Sequence, residues 1–114
     1  MSDCLFCKIA AGEIPSDQVH ADGDFVAFHD IDPQAPVHVL VIPRRHIPSL
    51  DDLTDTDADL VGRLPVTAAR VATTLGLGDS GYRFVINCGE HGCQSVPHLH
   101  LHLLGGRQLG WPPG

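Results

Sequence analysis

The stretch SVPHLHLHLLGG, Ser95 to Gly106, places histidines at 98, 100 and 102 with a leucine after each. In an extended strand, alternate side chains share one face and alternate Cα atoms lie about 6.6–6.8 Å apart. His98, His100 and His102 then line one side while Leu99, Leu101 and Leu103 line the other. A helix would scatter the imidazoles, so the spacing predicts a strand. The leucine side can enter a core; the imidazole side must meet a metal ion, an anion, a proton-transfer partner or water. Neutral imidazole dominates at pH 7, shuttles protons and can attack an electrophile such as phosphorus. A second pair, Cys4-x-x-Cys7, is compatible with a redox couple, two buried thiols or half of a metal site.

These groups need a scaffold. In CLFCKIAAGEIPS, Leu5, Phe6, Ile9 and Ala10 recur at helical spacing before Gly12 and Pro15, which predicts a short N-terminal helix or turn. Residues 17–32 read as a β-hairpin about the turn signal ADGD. Val37–Pro43, VHVLVIP, is apolar at almost every position, as in a strand covered on both faces or one that also lines a site. From Ser49 to Gly78, an acidic start and the recurrence of Leu60, Leu64, Ala68, Val71 and Leu75 predict the long helix, with Gly76 or Gly78 as its stop. Pro65 falls inside it; an interior proline costs roughly 3 kcal/mol, so a kink or a late start is expected. GYRFVIN (81–87) is another strand, followed by the loop CGEHGCQSVP, the histidine strand and a glycine- and proline-rich tail. The pattern gives an α+β class with an antiparallel sheet, one domain over 1–114, without repeats or a linker.

With 114 residues, 43% of them hydrophobic and 18% charged, the chain can bury a core, though a small one, and a dimer sharing a site would be unsurprising. The net charge of −7 argues against a nucleic-acid partner, which needs a basic stripe; it leaves room for a small anionic ligand in a cleft. No apolar run approaches the roughly 20 residues that span a bilayer, and the start lacks a basic segment of the secretory kind. The expectation is a cytoplasmic protein with no membrane partner.

The segment HLHLHLL fits the pattern His-φ-His-φ-His-φ-φ, with φ apolar. FHDIDPQAPVHVLVIPRRHI, LGLGDSGYRFVIN and GCQSVPHLHLHLLGGRQLGWPPG extend the likeness over most of Phe6 to Gly114. The sequence resembles the histidine triad (HIT) superfamily, and within it the Hint branch of nucleotide-binding proteins. The resemblance implies a HIT-like fold, a five-stranded antiparallel sheet with two helices, paired in a homodimer as one continuous sheet. It implies hydrolysis of purine nucleoside phosphoramidates at the P–N bond, releasing the nucleoside monophosphate. Dinucleoside polyphosphate hydrolysis and a non-catalytic nucleotide-binding module are the alternatives.

Residue by residue, the resemblance makes His100 the nucleophile that forms a nucleotidyl-histidine intermediate. His102 would bind phosphate oxygens, His38 would complete the network and His98 would orient His100. Ser95 and Gln94 would touch the leaving group and phosphate, and Asn87 the phosphate. Asp30, with His29 and Ile31, would hold the ribose and flank the base, and Phe6, Phe28 and Val96 would contact the nucleoside. Trp111 would reach toward the partner's site. Cys4, Cys7, His46 and His98 would form a structural zinc site that catalysis does not require. Read alone, Asp30 also fits a turn, Asn87 a strand end, Ser95 a loop hydroxyl, and Phe6 and Phe28 a core. Cys93 departs from the pattern: it stands where relatives usually carry glycine, next to the phosphate-contacting segment.

Overall fold

Two hydrophobic faces on one sheet organise the chain. The computed structural model describes residues 3–114. Along it run α1 (Leu5–Ala10), β1 (Gln18–Ala21), β2 (Phe25–His29), β3 (Val37–Pro43), α2 (Ala58–Thr74), β4 (Tyr82–Val85) and β5 (Leu101–Gly105). The five strands form one antiparallel sheet in the order β1-β2-β3-β5-β4. Fold class and strand number are therefore those the sequence predicts.

Local chemistry explains the elements. In the first hairpin, Oδ1 of Asp22 accepts from the backbone N–H groups of Asp24 and Phe25, each at 2.8 Å, which closes the turn. At α1, the Cys4 sulfur caps the helix by accepting from the N–H of Cys7 at 3.4 Å. The acidic stretch before α2 forms two 3-10 turns, Leu50–Asp52 and Asp55–Asp57, so the long helix starts only at Ala58. The carboxylate of Asp57 accepts from the Thr54 N–H at 2.9 Å and pairs with Arg45 at 2.6 Å, which anchors that start. Pro65 lies inside α2 on its exposed side, and the helix continues past it to Thr74.

Strand β3 is apolar throughout because both its faces are covered. Val39 and Val41 join Phe25, Ala27, Leu101 and Leu103 against Leu64, Ala68 and Val71 of α2. Leu40 and Ile42 join Val26 and Phe28 against Phe6 and Ile9 of α1. His38 shares the α1 face with Leu40 by strand alternation.

The histidine strand is shorter than its alternation predicts. Hydrogen-bonded pairing begins at Leu101, and His98 to His100 precede it. By register the residue of β3 opposite Leu99 is Pro43, whose nitrogen has no hydrogen to extend the ladder and whose carbonyl accepts from the His98 ring at 2.8 Å. The Leu99 N–H turns instead to the Ile47 carbonyl at 2.6 Å. Leu99, Leu101 and Leu103 are all inside the α2 core, while His98 and His100 are buried as well. β4 likewise stops at Val85, so Ile86 and Asn87 lie beyond the strand. Among the described residues no helix is long and apolar enough to cross a membrane.

Leu103 is fully buried between β3 and α2, with Val39 and Phe84 as its register partners. Leu103→Ala should lower the free energy of unfolding by about 2–5 kcal/mol, as cavities in packed cores do. Urea denaturation measures it; a loss under about 1 kcal/mol would mean this layer repacks around the void.

Candidate functional site

Four histidines converge where β5 leaves the sheet, and backbone groups fix which nitrogen of each carries the hydrogen. The Nδ1 of His100 lies 2.7 Å from the His98 carbonyl, which can only accept, so Nδ1–H donates. Its Nε2 then keeps the lone pair. The Nδ1 of His38 accepts the Gln34 backbone N–H at 3.0 Å, so the hydrogen of that ring sits on Nε2. That Nε2–H donates to Nδ1 of His102 at 2.9 Å, with the Asp30 carboxylate 3.4 Å away. His102 is left with its own hydrogen on Nε2, a buried atom without a hydrogen-bond partner in the protein. Asp30, His38 and His102 are thus close enough to suggest a metal cradle, but the Gln34 bond commits the His38 nitrogen as a donor and makes the set a hydrogen-bond relay.

His100 and His102 open onto a cleft of about 720 Å³ between α1 and the sheet. Of the residues the resemblance gives to the nucleotide, Phe6, Phe28, His29, Asp30, Ile31, Ser95 and Val96 line it with them. Phe6 sets its ring edge-on to Phe28 at 5.6 Å and to His100 at 5.0 Å. Leu5, Ile9, Ile14 and Leu40 complete the apolar walls and are absent from that reading. The signals for them were the helical spacing of Leu5 and Ile9 with Phe6, and the shared strand face of Leu40 and His38.

Three predicted residues stand elsewhere. Gln94 does not line the cleft; its side-chain N–H groups donate to the Pro48 and Val96 carbonyls at 2.8 and 3.0 Å, and its Oε1 accepts from Gly89 at 3.1 Å. It braces the loop that carries Ser95. Asn87 is half-buried past the end of β4, also outside the walls. Trp111 is 82% exposed beside Arg83 and does not line the cleft of its own chain. Cys93 is exposed and adopts φ of 64°, the left-handed region that favours glycine, so this departure from the pattern is held at some backbone strain.

The second constellation assembles on the far side of His98. The Nε2–H of His98 donates to the Pro43 carbonyl at 2.8 Å, which turns the Nδ1 lone pair outward. That Nδ1 lies 3.4 Å from the Cys4 sulfur, 3.5 Å from the Cys7 sulfur and 3.3 Å from Nδ1 of His46; Cys7 and His46 are 3.2 Å apart. Zn–S bonds of about 2.3 Å and Zn–N bonds of about 2.0–2.1 Å demand tetrahedral edges near 3.6 Å for S···N and 3.4 Å for N···N. The observed spacings fit such an ion. Cys4, Cys7, His46 and His98 could therefore hold a metal.

Electrostatics keep the triad neutral. Burial pushes His98, His100 and His38 below the ordinary histidine value of 6.5. For His102 burial, then the neighbouring His100 and His38, bring it to about 4.

A five-stranded sheet that carries three alternate histidines and shows His100 and His102 to an apolar cleft defines the histidine-triad class. Residues 11–109 match the HIT domain, and the chain belongs to that family. It is 51% identical to the 14 kDa zinc-binding protein of Brassica juncea, over 98% of this chain and 100% of that one. It is similar to the HIT family hydrolase of Legionella pneumophila, with TM-score 0.96 and 51% identity over 98% of this chain and 100% of the other. The histidine triad nucleotide-binding protein of Candida albicans superposes with TM-score 0.80 at 32% identity, over 96% and 83% of the two chains.

The depressed histidines set the sign of a pH dependence. An unfolded histidine titrates near 6.5 and His102 in the fold near 4, so between these values the unfolded chain binds more protons. Stability should be intact above 6.5 and fall as pH drops toward 4. Urea midpoints across that window check it, and His102→Asn should flatten the slope; an unchanged slope would remove His102 as a contributor.

Proposed function

We propose that this protein is a nucleoside phosphoramidate hydrolase, which cleaves the P–N bond of a purine nucleoside monophosphate joined to an amine. The carrying observation is the pair of committed ring nitrogens: a lone pair on His100 Nε2 and, beside it, a buried unpartnered N–H on His102. The first is a nucleophile; the second is a donor for charge that develops on a phosphoryl oxygen. His100 Nε2 attacks the α-phosphorus, the P–N bond breaks and the amine leaves with one added proton, for which the Ser95 hydroxyl at the cleft rim is the candidate relay. Water then attacks the nucleotidyl-histidine, the P–N bond to His100 breaks, and the nucleoside monophosphate departs.

The other residues bind and orient. The His98 carbonyl fixes the tautomer of His100, and the Gln34–His38 relay fixes that of His102. Asp30 can accept from ribose hydroxyls, and Phe6, Phe28, Ile31 and Val96 supply the apolar surface for a purine. Gln94 positions Ser95. Cys4, Cys7, His46 and His98 would hold zinc, whose contribution is structural: it ties α1 to the start of the histidine strand. We place the reaction in the cytoplasm and in a homodimer whose β4 edges pair into one continuous sheet, with Trp111 close to the partner's cleft. The exposed Tyr82 on that edge and the exposed Trp111 support this reading.

Adenosine phosphoramidate should release AMP, and His100→Ala should lower the rate at least about a thousandfold. His102→Ala should cost about 10²–10³-fold, as removal of one donor to a developing oxyanion does. Faster cleavage of diadenosine tetraphosphate would favour the polyphosphate alternative, and AMP binding without turnover of either would favour a binding module. Elemental analysis of the purified protein should find one zinc per chain, reduced by Cys7→Ser, and a chelator should lower Tm. Metal-free protein with Tm indifferent to chelator would end the zinc reading.

A further inference from the structure

Strand β5 ends against the loop that joins β2 to β3. Gly105 pairs with Val37 at the end of the ladder, and Gly106 then turns the chain in the left-handed region, at φ of 91°. It lies so near the loop that a Cβ on Gly106 would stand 2.8 Å from the Cβ of Pro36. The turn delivers Arg107, whose guanidinium donates to the Gln34 carbonyl at 3.1 Å and to the Gln108 carbonyl at 3.2 Å. Arg107 is exposed and lines no wall of the cleft. We infer that it is a positioning residue: it holds Gln34 so that the Gln34 backbone N–H keeps the histidine relay in its productive hydrogen arrangement.

The relay has a second arrangement. His38 and His102 meet nitrogen to nitrogen at 2.9 Å, and either ring can supply the hydrogen between them. When His38 Nε2–H donates, His102 keeps a hydrogen on its unpartnered Nε2 for a phosphoryl oxygen. When His102 Nδ1–H donates, His102 Nε2 bears a lone pair, and the His38 hydrogen moves to Nδ1. There it would face the Gln34 N–H, 3.0 Å away, donor against donor. The Gln34 N–H thus excludes the unproductive form for as long as the loop keeps its place. Inside the loop, Asp30 Oδ1 accepts from the Asp32 N–H and the Gln34 amide donates to the Asp32 carbonyl, each at 2.9 Å. Both bonds are internal to the loop, whereas Arg107 ties Gln34 to the end of β5. The Asp30 carboxylate, 3.4 Å from His38 Nε2, also favours the productive form, so loss of Arg107 weakens the preference without abolishing it. The effect on rate rests on the reading of His102 as donor to a phosphoryl oxygen; the effect on the rings does not.

Long-range proton–nitrogen correlation spectra of isotope-labelled protein separate ring nitrogens that carry a hydrogen from those with a lone pair. In the wild-type protein His102 should carry its hydrogen on Nε2. In Arg107→Ala the His102 Nε2 signal should move toward the lone-pair position. There kcat for adenosine phosphoramidate should fall about tenfold with KM unchanged, the scale of one hydrogen bond from a charged donor. Arg107→Lys, which still donates to the Gln34 carbonyl, should restore part of both. Wild-type ring signals in Arg107→Ala would overturn the inference, whatever the rate. No cleavage by the wild-type protein would instead overturn the hydrolase reading, and the ring signals would still decide the role of Arg107.

Discussion

The bond from His100 Nδ1–H to the carbonyl of His98 is the constraint on which the site depends. It is local in sequence and buried, and it makes the difference between an imidazole of undefined tautomer and one with its lone pair held toward the cleft. It exists only because residues 98–100 have left the ladder. In a regular strand the carbonyl of His98 would be turned to a neighbouring strand. The larger architecture serves that local departure: α2 pins Leu99, Leu101 and Leu103 from one side, and α1 presses Phe6 on the rings of His98 and His100 from the other, with centroids at 5.9 and 5.0 Å.

The same short helix does two jobs. Cys4 and Cys7 bracket Phe6, so the cluster of sulfurs and imidazoles and the wall of the cleft are built from one turn of backbone. His98 is the hinge of this arrangement, since its side chain faces the cluster and its carbonyl holds the His100 imidazole. A metal bound there would act on the cleft through rigid placement, with no charge delivered to the reacting atoms.

Much of this was legible in the residues. The period of two in HLHLHLL gave the faces, and the unbroken apolar run of β3 gave a strand covered twice. The helix register 60, 64, 68, 71, 75 predicted the side that packs: Leu64, Ala68 and Val71 of these five are buried. The rest was hidden for physical reasons. Where pairing stops depends on the partner strand, here on Pro43, which lies far away in the chain. Gln94 has the inventory of a substrate contact, and only the loop's three-dimensional course shows its amide spent on Pro48, Val96 and Gly89. The tautomers of His38 and His102 hang on a backbone N–H, that of Gln34, which no side-chain pattern announces.

Pro43 has a consequence beyond the length of a strand. Opposite it the histidine segment falls into two stretches with different duties: the hydrogen-bonded β5, which resists deformation, and residues 98–100 before it, whose main chain bonds to a ring nitrogen and a loop carbonyl instead. A β-sheet usually shields its main chain by consuming every donor and acceptor in its own repeat. Here the repeat stops at an imino acid, and beyond it two main-chain oxygens, those of Pro43 and His98, dictate which nitrogen of the His98 and His100 rings carries the hydrogen.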